Sequence, residues 1–332
     1  MRYSDDDLDR LFSAAKPAAR PNNHAPNAAD IAIREGIIRG THTRGRHAAY
    51  KGIAWAGPAT AAVAAAVAGV VVAVAVLMPT QHAVALTPPP LHYTAAAPWE
   101  RVFNDAQAKL RTGPDQPQVS AVNSVIWAWN ADLDTKHVEI VPQNVTFDWG
   151  PGEPSTTTVA AGDSFWSDSE RPEGIERSPY RPGELIDTYV IPPEDFALAP
   201  EAAELRGSSR EELSSALAVF GATPDASSGD LLAAITGLLQ YWTLDDEQHA
   251  TLLDLLADAG DLTVRGETTD RLGRDVVGVQ VSQVIPERQE TLFISKETGR
   301  IVGVESELLK PLNGLPVGVI TYTMWDAPEH VN

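Results

Sequence analysis

A chain of 332 residues, 43% hydrophobic and 21% charged, has the composition of a folded protein, so global disorder is excluded. It contains no cysteine, which excludes disulfides, thiolate zinc sites, a catalytic thiol and the lipidated cysteine of a lipoprotein anchor. The net charge of −20 is split unevenly, +3 over residues 1–51 and −23 over the rest, so nucleic acid, which needs Lys and Arg against its phosphates, is not an expected partner.

Residues 1–51 read as a cytoplasmic arm. Ser4-Asp5-Asp6-Asp7 has the composition of a helix start, and Leu8, Leu11, Phe12 and Ala15 then share one helical face until Pro17. A second short helix is expected over Ala28 to Arg39. Neither is long enough to fold alone. The stripe of Leu8, Leu11 and Phe12 is therefore a candidate contact for a cytoplasmic regulatory protein, beside the plainer reading of a mobile tail that carries topogenic charge.

Residues 52–78 are the expected single transmembrane helix. Ala59 to Met78 is continuously apolar apart from Thr60, and a helix of that length crosses roughly 30 Å of hydrocarbon. Arg34, Arg39, Arg44, Arg46 and Lys51 precede it, while the first basic residue after it is Arg101, which puts the N-terminus in the cytoplasm and the C-terminal domain outside. The rival is a cleaved leader with Ala83-Val84-Ala85 as its site, disfavoured by the long polar stretch before the apolar run. Ala61, Ala65, Gly69 and Ala73 form a small-residue stripe through which two such helices would make a homodimer.

Residues 79–98, with Pro88-Pro89-Pro90, are an expected extended linker, and residues 99–332 an extracytoplasmic domain. Trp99 to Arg111 has a helical pattern. Strands are expected at Val119 to Ala131, His137 to Trp149, Thr156 to Trp166 and Leu185 to Ile191, with Ser167 to Glu184 a long exposed loop. Helices follow at Glu211 to Phe220, Asp230 to Trp242 and Asp245 to Ala259, with Asp230 and Asp245 as caps and Gly221 and Gly260 as stops. The last third returns to strands at Asp261 to Glu267, Val276 to Ile285, Glu290 to Ser295, Arg300 to Leu309 and Pro316 to Trp325. Lys296-Glu297-Thr298-Gly299 has the composition of a hairpin turn. This order indicates an α+β domain, an antiparallel sheet packed on helices, and argues against a Rossmann or barrel enzyme.

No nucleotide-binding loop, nucleophile elbow or zinc-protease motif occurs. The carboxylates of Ser167 to Glu184 are interleaved with Arg171 and Arg177 and lack a calcium-loop pattern. His82, His92, His137, His249 and His330 stand singly, each read as a surface or locally bonded side chain, so no metal site and no cofactor is expected. Asp245-Asp246-Glu247 suits a helix N-terminus, where negative charge is favoured. The aromatics are more suggestive. Trp127, Trp129, Trp149, Trp166, Trp242 and Trp325 would line a ligand groove on a curved sheet, or else fill the core.

Thr269 to Val279 (TDRLGRDVVGV), Glu290 to Ser295 (ETLFIS) and Glu297 to Gly303 (ETGRIVG) carry a resemblance. Here the chain resembles a family of uncharacterised single-pass actinobacterial membrane proteins, commonly encoded beside extracytoplasmic-function sigma factors. The outer domain of that family is similar to the LolA and RseB type fold, an open antiparallel half-barrel over helices that encloses a hydrophobic groove. The resemblance implies a non-enzymatic envelope sensor or regulator, or alternatively an anchored carrier of a lipid or other hydrophobic ligand. It brings no catalytic residues with it. Zinc-type anti-sigma domains use His and Cys in the arm, and this chain has no cysteine.

Overall fold

A computed structural model describes residues 87–114, 116–128, 139–167, 169–171, 175–196, 198–311 and 317–326. The arm with Leu8, Leu11 and Phe12, the expected transmembrane helix and Trp129 lie outside the described residues. Among the described residues no helix is long and apolar enough to cross a membrane.

The sheet is built from two meanders. β1 (Ala121–Ala128), β2 (Gln143–Asp148), β3 (Ser155–Ala161) and β4 (Leu185–Ile191) form the first. β5 (Thr263–Thr269), β6 (Asp275–Gln280), β7 (Arg288–Ser295), β8 (Ile301–Leu308) and β9 (Gly318–Trp325) form the second. Pairing of β1 with β9, from Ser124↔Trp325 to Ala128↔Thr321, joins them into one antiparallel sheet in the order β4-β3-β2-β1-β9-β8-β7-β6-β5. The sheet is open, with β4 and β5 at its two ends.

One helix precedes the first meander and the others lie between the two. α1 (Trp99–Thr112) precedes β1, and α2 (Pro200–Ala203), α3 (Arg210–Val219), α4 (Ser228–Leu238) and α5 (Asp246–Ala259) follow β4. Their ends obey local chemistry. Ser209 caps α3 by accepting from the Glu212 N–H, and Asp245 and Gln248 make a reciprocal capping box on α5. On α4 the cap is Ser227 rather than Asp230, because the shorter hydroxyl sits before the first turn while Asp230 reaches back from its third position. α5 stops at Gly260, whose φ of 70° suits glycine.

The helices cover one face of the sheet. Leu213, Leu217, Leu232, Ile235, Leu252 and Leu256 pack there on Val122 of β1 and on Val277, Leu292, Ile294, Ile301 and Trp325 of the second meander. On the opposite face lies a separate apolar cluster of Val125, Trp127, Val276, Phe293, Val302, Val319, Tyr322 and Met324. Apolar residues on both sides of one strand require a cover on each side. The second cover comes from the N-terminal segment, expected to be a free spacer. From Thr87 it runs extended along the sheet, Leu91 and Tyr93 packing on the cluster and Thr94 exchanging backbone bonds of 2.9 and 3.0 Å with Glu267 on β5. Tyr93 fits because two glycines lie beneath it: a Cβ on Gly278 would stand 2.7 Å from its ring, and one on Gly266 2.9 Å from its Cβ. The Arg265 guanidinium lies over the same ring, 4.5 Å from its centre. Contacts of the domain thus begin before Trp99.

The stretch that carries the family resemblance is a pair of structural turns. At Asp270 a buried carboxylate accepts from the Leu272 and Arg274 N–H groups at 2.8 and 3.0 Å and pairs with the Arg274 side chain. Arg274 in turn donates to the carbonyls of Trp325 and Val302, tying the β5–β6 turn to β9 and β8. Lys296 to Gly299 joins β7 and β8 as the hairpin that the composition suggests.

His249 departs from its sequence reading. It is not at the surface: 1% exposed on α5, it accepts the Ile301 N–H through Nδ1 at 3.2 Å. Burial, helped by the nearby Arg300 guanidinium, holds its imidazole well below the ordinary value of 6.5. The unfolded chain takes up this proton near pH 6.5 and the folded chain does not, so stability falls as pH drops through that region, by up to about 1.4 kcal/mol per pH unit for one proton. Urea unfolding at pH 7.5 and 5.5 should show a smaller loss for His249→Asn, which keeps an acceptor for Ile301, than for the natural chain. Equal losses in the two proteins would contradict this assignment.

Candidate functional site

The candidate tryptophans do not share one groove. Alternation along β1 puts Val122 on the helix side and Trp127 on the other, where Trp127 stacks on Tyr322 (6.2 Å, 19°) and meets the edge of Phe165. Its indole N–H donates to the Ile140 carbonyl at 2.9 Å, and the side chain is 1% exposed. Trp325 is buried in the helix-side core. Trp166 is half-buried in the turn after β3, its backbone N–H bonded to Ser164 Oγ at 3.0 Å. Trp127 and Trp325 are thus held as packing residues.

Trp149 and Trp242 do come together, with ring centres 4.8 Å apart and near perpendicular. Trp149 continues the line of β2, its N–H bonded to the Ser120 carbonyl, so its side chain falls on the same side as Phe147 and Val122. Trp242 follows α4, and its indole N–H donates to the Ala202 carbonyl at 2.8 Å, fixing it against α2. Around them gather residues that the tryptophan search passed over. Phe196, from the loop after β4, stands 5.4 Å from Trp149, 6.2 Å from Phe147 and 6.1 Å from Tyr241. Tyr241 touches Phe147 and Phe220 at 5.8 Å each. Six rings thus form one contiguous cluster.

The place of this cluster matters more than its size. The helix-side core draws its strand residues from β1 and from β5 to β9, and among its described members none comes from β2, β3 or β4. The rings stand where the helix layer ends and the first meander runs on. Trp149 and Tyr241 are buried, while Phe147, Phe196, Phe220 and Trp242 are half-buried, the last two against the helix-side core. Rings that touch one another and also keep faces toward solvent are the composition of a binding surface for apolar groups.

Next to the rings, the inward row of β3 is made of small side chains, Ser155, Thr157, Val159 and Ala161, all buried. Thr157 lies opposite Phe147, which fixes the side of this row. Ser155 is 1% exposed, and among the described residues its hydroxyl has no hydrogen-bond partner. A buried hydroxyl left unpaired costs about 1–3 kcal/mol. Burial also pushes the Tyr241 phenol above its ordinary value, leaving it a neutral hydrogen-bonding group.

The opposite face holds charge rather than open rings. Arg271 and Glu305 pair at 2.7 Å with side chains 7% and 2% exposed, and Arg271 lies 5.6 Å from the centre of the Tyr322 ring. Burial raises the Glu305 carboxyl above its usual range, against the opposing pull of Arg271. The polar segment after β3 is also partly fastened: Arg171 pairs with the buried Glu139 at 3.3 Å, and the Glu139 N–H donates to the Glu176 carbonyl. These pairs satisfy one another and present no nucleophile beside a base. Among the described residues no group of His, Asp and Glu has the geometry of a metal site.

No protein-family model matches the chain, and no curated protein matches it. Among solved structures it is similar to a DUF1329 family protein from Desulfovibrio piger, at 13% identity over 70% of this chain and 92% of that one, with a TM-score of 0.21. It is also similar to a domain from Vibrio parahaemolyticus named for outer membrane lipoprotein sorting, at 10% identity over 69% of this chain and 91% of that one, with a TM-score of 0.19.

Proposed function

We propose that the outer domain is a non-enzymatic carrier of a lipid or other hydrophobic ligand, LolA-like in using the mouth of an open half-barrel, and anchored to the cell membrane by residues 52–78. The observation that carries this reading is the six-ring cluster at the end of the helix layer, with four rings only half-buried and Trp149 against Trp242. An acyl chain laid there would gain roughly 25 cal/mol for each Å² of apolar surface removed from water. The Ser155 hydroxyl would take the polar end of an amphiphile, a pairing that discriminates against a pure hydrocarbon. The alternative, a sensor whose arm contacts a cytoplasmic protein or sigma-factor system through Leu8, Leu11 and Phe12, draws on residues outside the described ones, and no specific observation favours it.

Native mass spectrometry of the full chain, purified gently from its host, tests the reading. The natural protein should retain a bound hydrophobe. Phe196→Glu, which puts a charge among the rings from a loop, should lose most of it. Val284→Glu, at a position 49% exposed on another loop, should keep it. Equal retention by all three proteins would remove the site from the ring cluster.

A further inference from the structure

The two ends of the sheet are treated differently. At β5 the N-terminal segment bonds to the strand through Thr94, so part of that edge is covered. At β4 no backbone bond among the described residues arrives from the outer side. The strand is nevertheless apolar, Leu185-Ile186-Asp187-Thr188-Tyr189-Val190-Ile191, with Leu185 59%, Tyr189 37% and Val190 62% exposed. An open apolar edge without lysines or an internal proline is a template for another strand. Asp187 is its one carboxylate, and Tyr189 already donates to it within the strand.

We propose that a second copy of this chain pairs with the first along β4, antiparallel, with the two-fold axis at Thr188. The strand is self-complementary about that residue. Antiparallel pairing places Leu185 opposite Ile191, Ile186 opposite Val190 and Asp187 opposite Tyr189, so each copy meets apolar with apolar and carboxylate with phenol. No two like charges fall opposite each other. That absence matters in a chain of net charge −20, whose copies repel one another on average. The result is a continuous sheet across two copies, reached independently of the ring cluster and of residues 52–78.

The absence of cysteine makes the test clean, since an introduced thiol is the sole thiol in the chain. Residues directly opposite in an antiparallel pair have Cα atoms about 4.5–5.5 Å apart, within the span of a disulfide. The full chain in mild detergent, oxidised and run without reductant, should give a disulfide dimer for Thr188→Cys and only monomer for Leu309→Cys, at a site 46% exposed elsewhere. Sedimentation should find the natural chain dimeric, and Val190→Lys should weaken that dimer by about tenfold or more. A Thr188→Cys protein that stays monomeric on oxidation overturns the proposal. So does a dimer that Val190→Lys leaves at full strength, which would place the contact elsewhere, as in the small-residue stripe of the apolar segment.

Discussion

Replacing Asp246 with alanine is expected to lower the stability of the domain by about 3 kcal/mol, the cost of leaving a buried charge without its partner. Arg300, just before β8, is 1% exposed and spends its whole guanidinium on this region: Nη1 donates to Asp246 at 2.6 Å, Nη2 to the Leu244 carbonyl at 2.6 Å, and Nε to Asp326 at 3.1 Å. Without Asp246, only the exposed Asp326 offsets the charge. The pair also matters for the site, because Leu244 and Asp246 form the joint between α4 and α5, directly after Tyr241 and Trp242. Chemical denaturation of the full chain followed by tryptophan emission should report the loss. Arg210→Ala, which breaks an exposed pair with Asp258 whose side chains are 51% and 68% exposed, should leave stability nearly unchanged. Replacing both buried partners together, Asp246→Leu with Arg300→Met, should recover much of the loss, since no buried lone charge then remains and Asp326 is exposed to water. Equal, small effects for Asp246→Ala and Arg210→Ala would show that Arg300 is not held as described.

Gly299→Ala is expected to cost about 3 kcal/mol through two separate causes. Its φ of 81° is left-handed, a conformation that costs an L-residue about 1–2 kcal/mol. The hairpin between β7 and β8 also presses on α1, so that a new Cβ would lie 2.2 Å from the Ala106 carbonyl oxygen, a backbone atom that cannot turn aside. Gly273 separates the two causes. Its φ is 78°, yet nothing lies within 4 Å of the position its Cβ would take, so Gly273→Ala should pay the conformational cost alone. Thermal melting of both variants reads the difference as the clash. Equal shifts in Tm would mean that the hairpin does not seat on α1.

The nine strands and the four longer helices are legible in the sequence because their local signals agree. β-branched and aromatic runs end in glycine or polar turns, and Ser209, Asp245 and Gly260 mark helix ends with chemistry that acts within a few residues. Pairing across the chain is less legible. Nothing local in Ser124 to Ala128 says that its neighbour is Thr321 to Trp325, and that contact closes the two meanders into one sheet. Alternation shows that Trp127 and Val122 point to opposite sides of β1, but not which side receives the helices, so the five candidate tryptophans among the described residues, alike in the sequence, divide among different environments. Phe196, Tyr241 and Phe220 join Trp149 and Trp242 only through the fold. The signal was present for Tyr241, adjacent to Trp242, and absent for Phe196, a lone aromatic in a loop. His249 and Arg300 were hidden for the same reason: a polar residue within an amphipathic run reads as exposed until its partner, here more than fifty residues away, is known.

Photolabelling locates the ligand most directly. The full chain, in mild detergent, would be incubated with a palmitate analogue bearing a photoreactive diazirine near the end of its acyl chain, irradiated, digested and mapped by mass spectrometry. Hydrophobe binding at the ring cluster predicts saturable labels on Phe147, Phe196 or Trp242, displaced by unlabelled palmitate and absent from the buried Trp127 and Tyr322 of the other face. Labels confined to residues 52–78, or none that palmitate displaces, would contradict a carrier role for the outer domain.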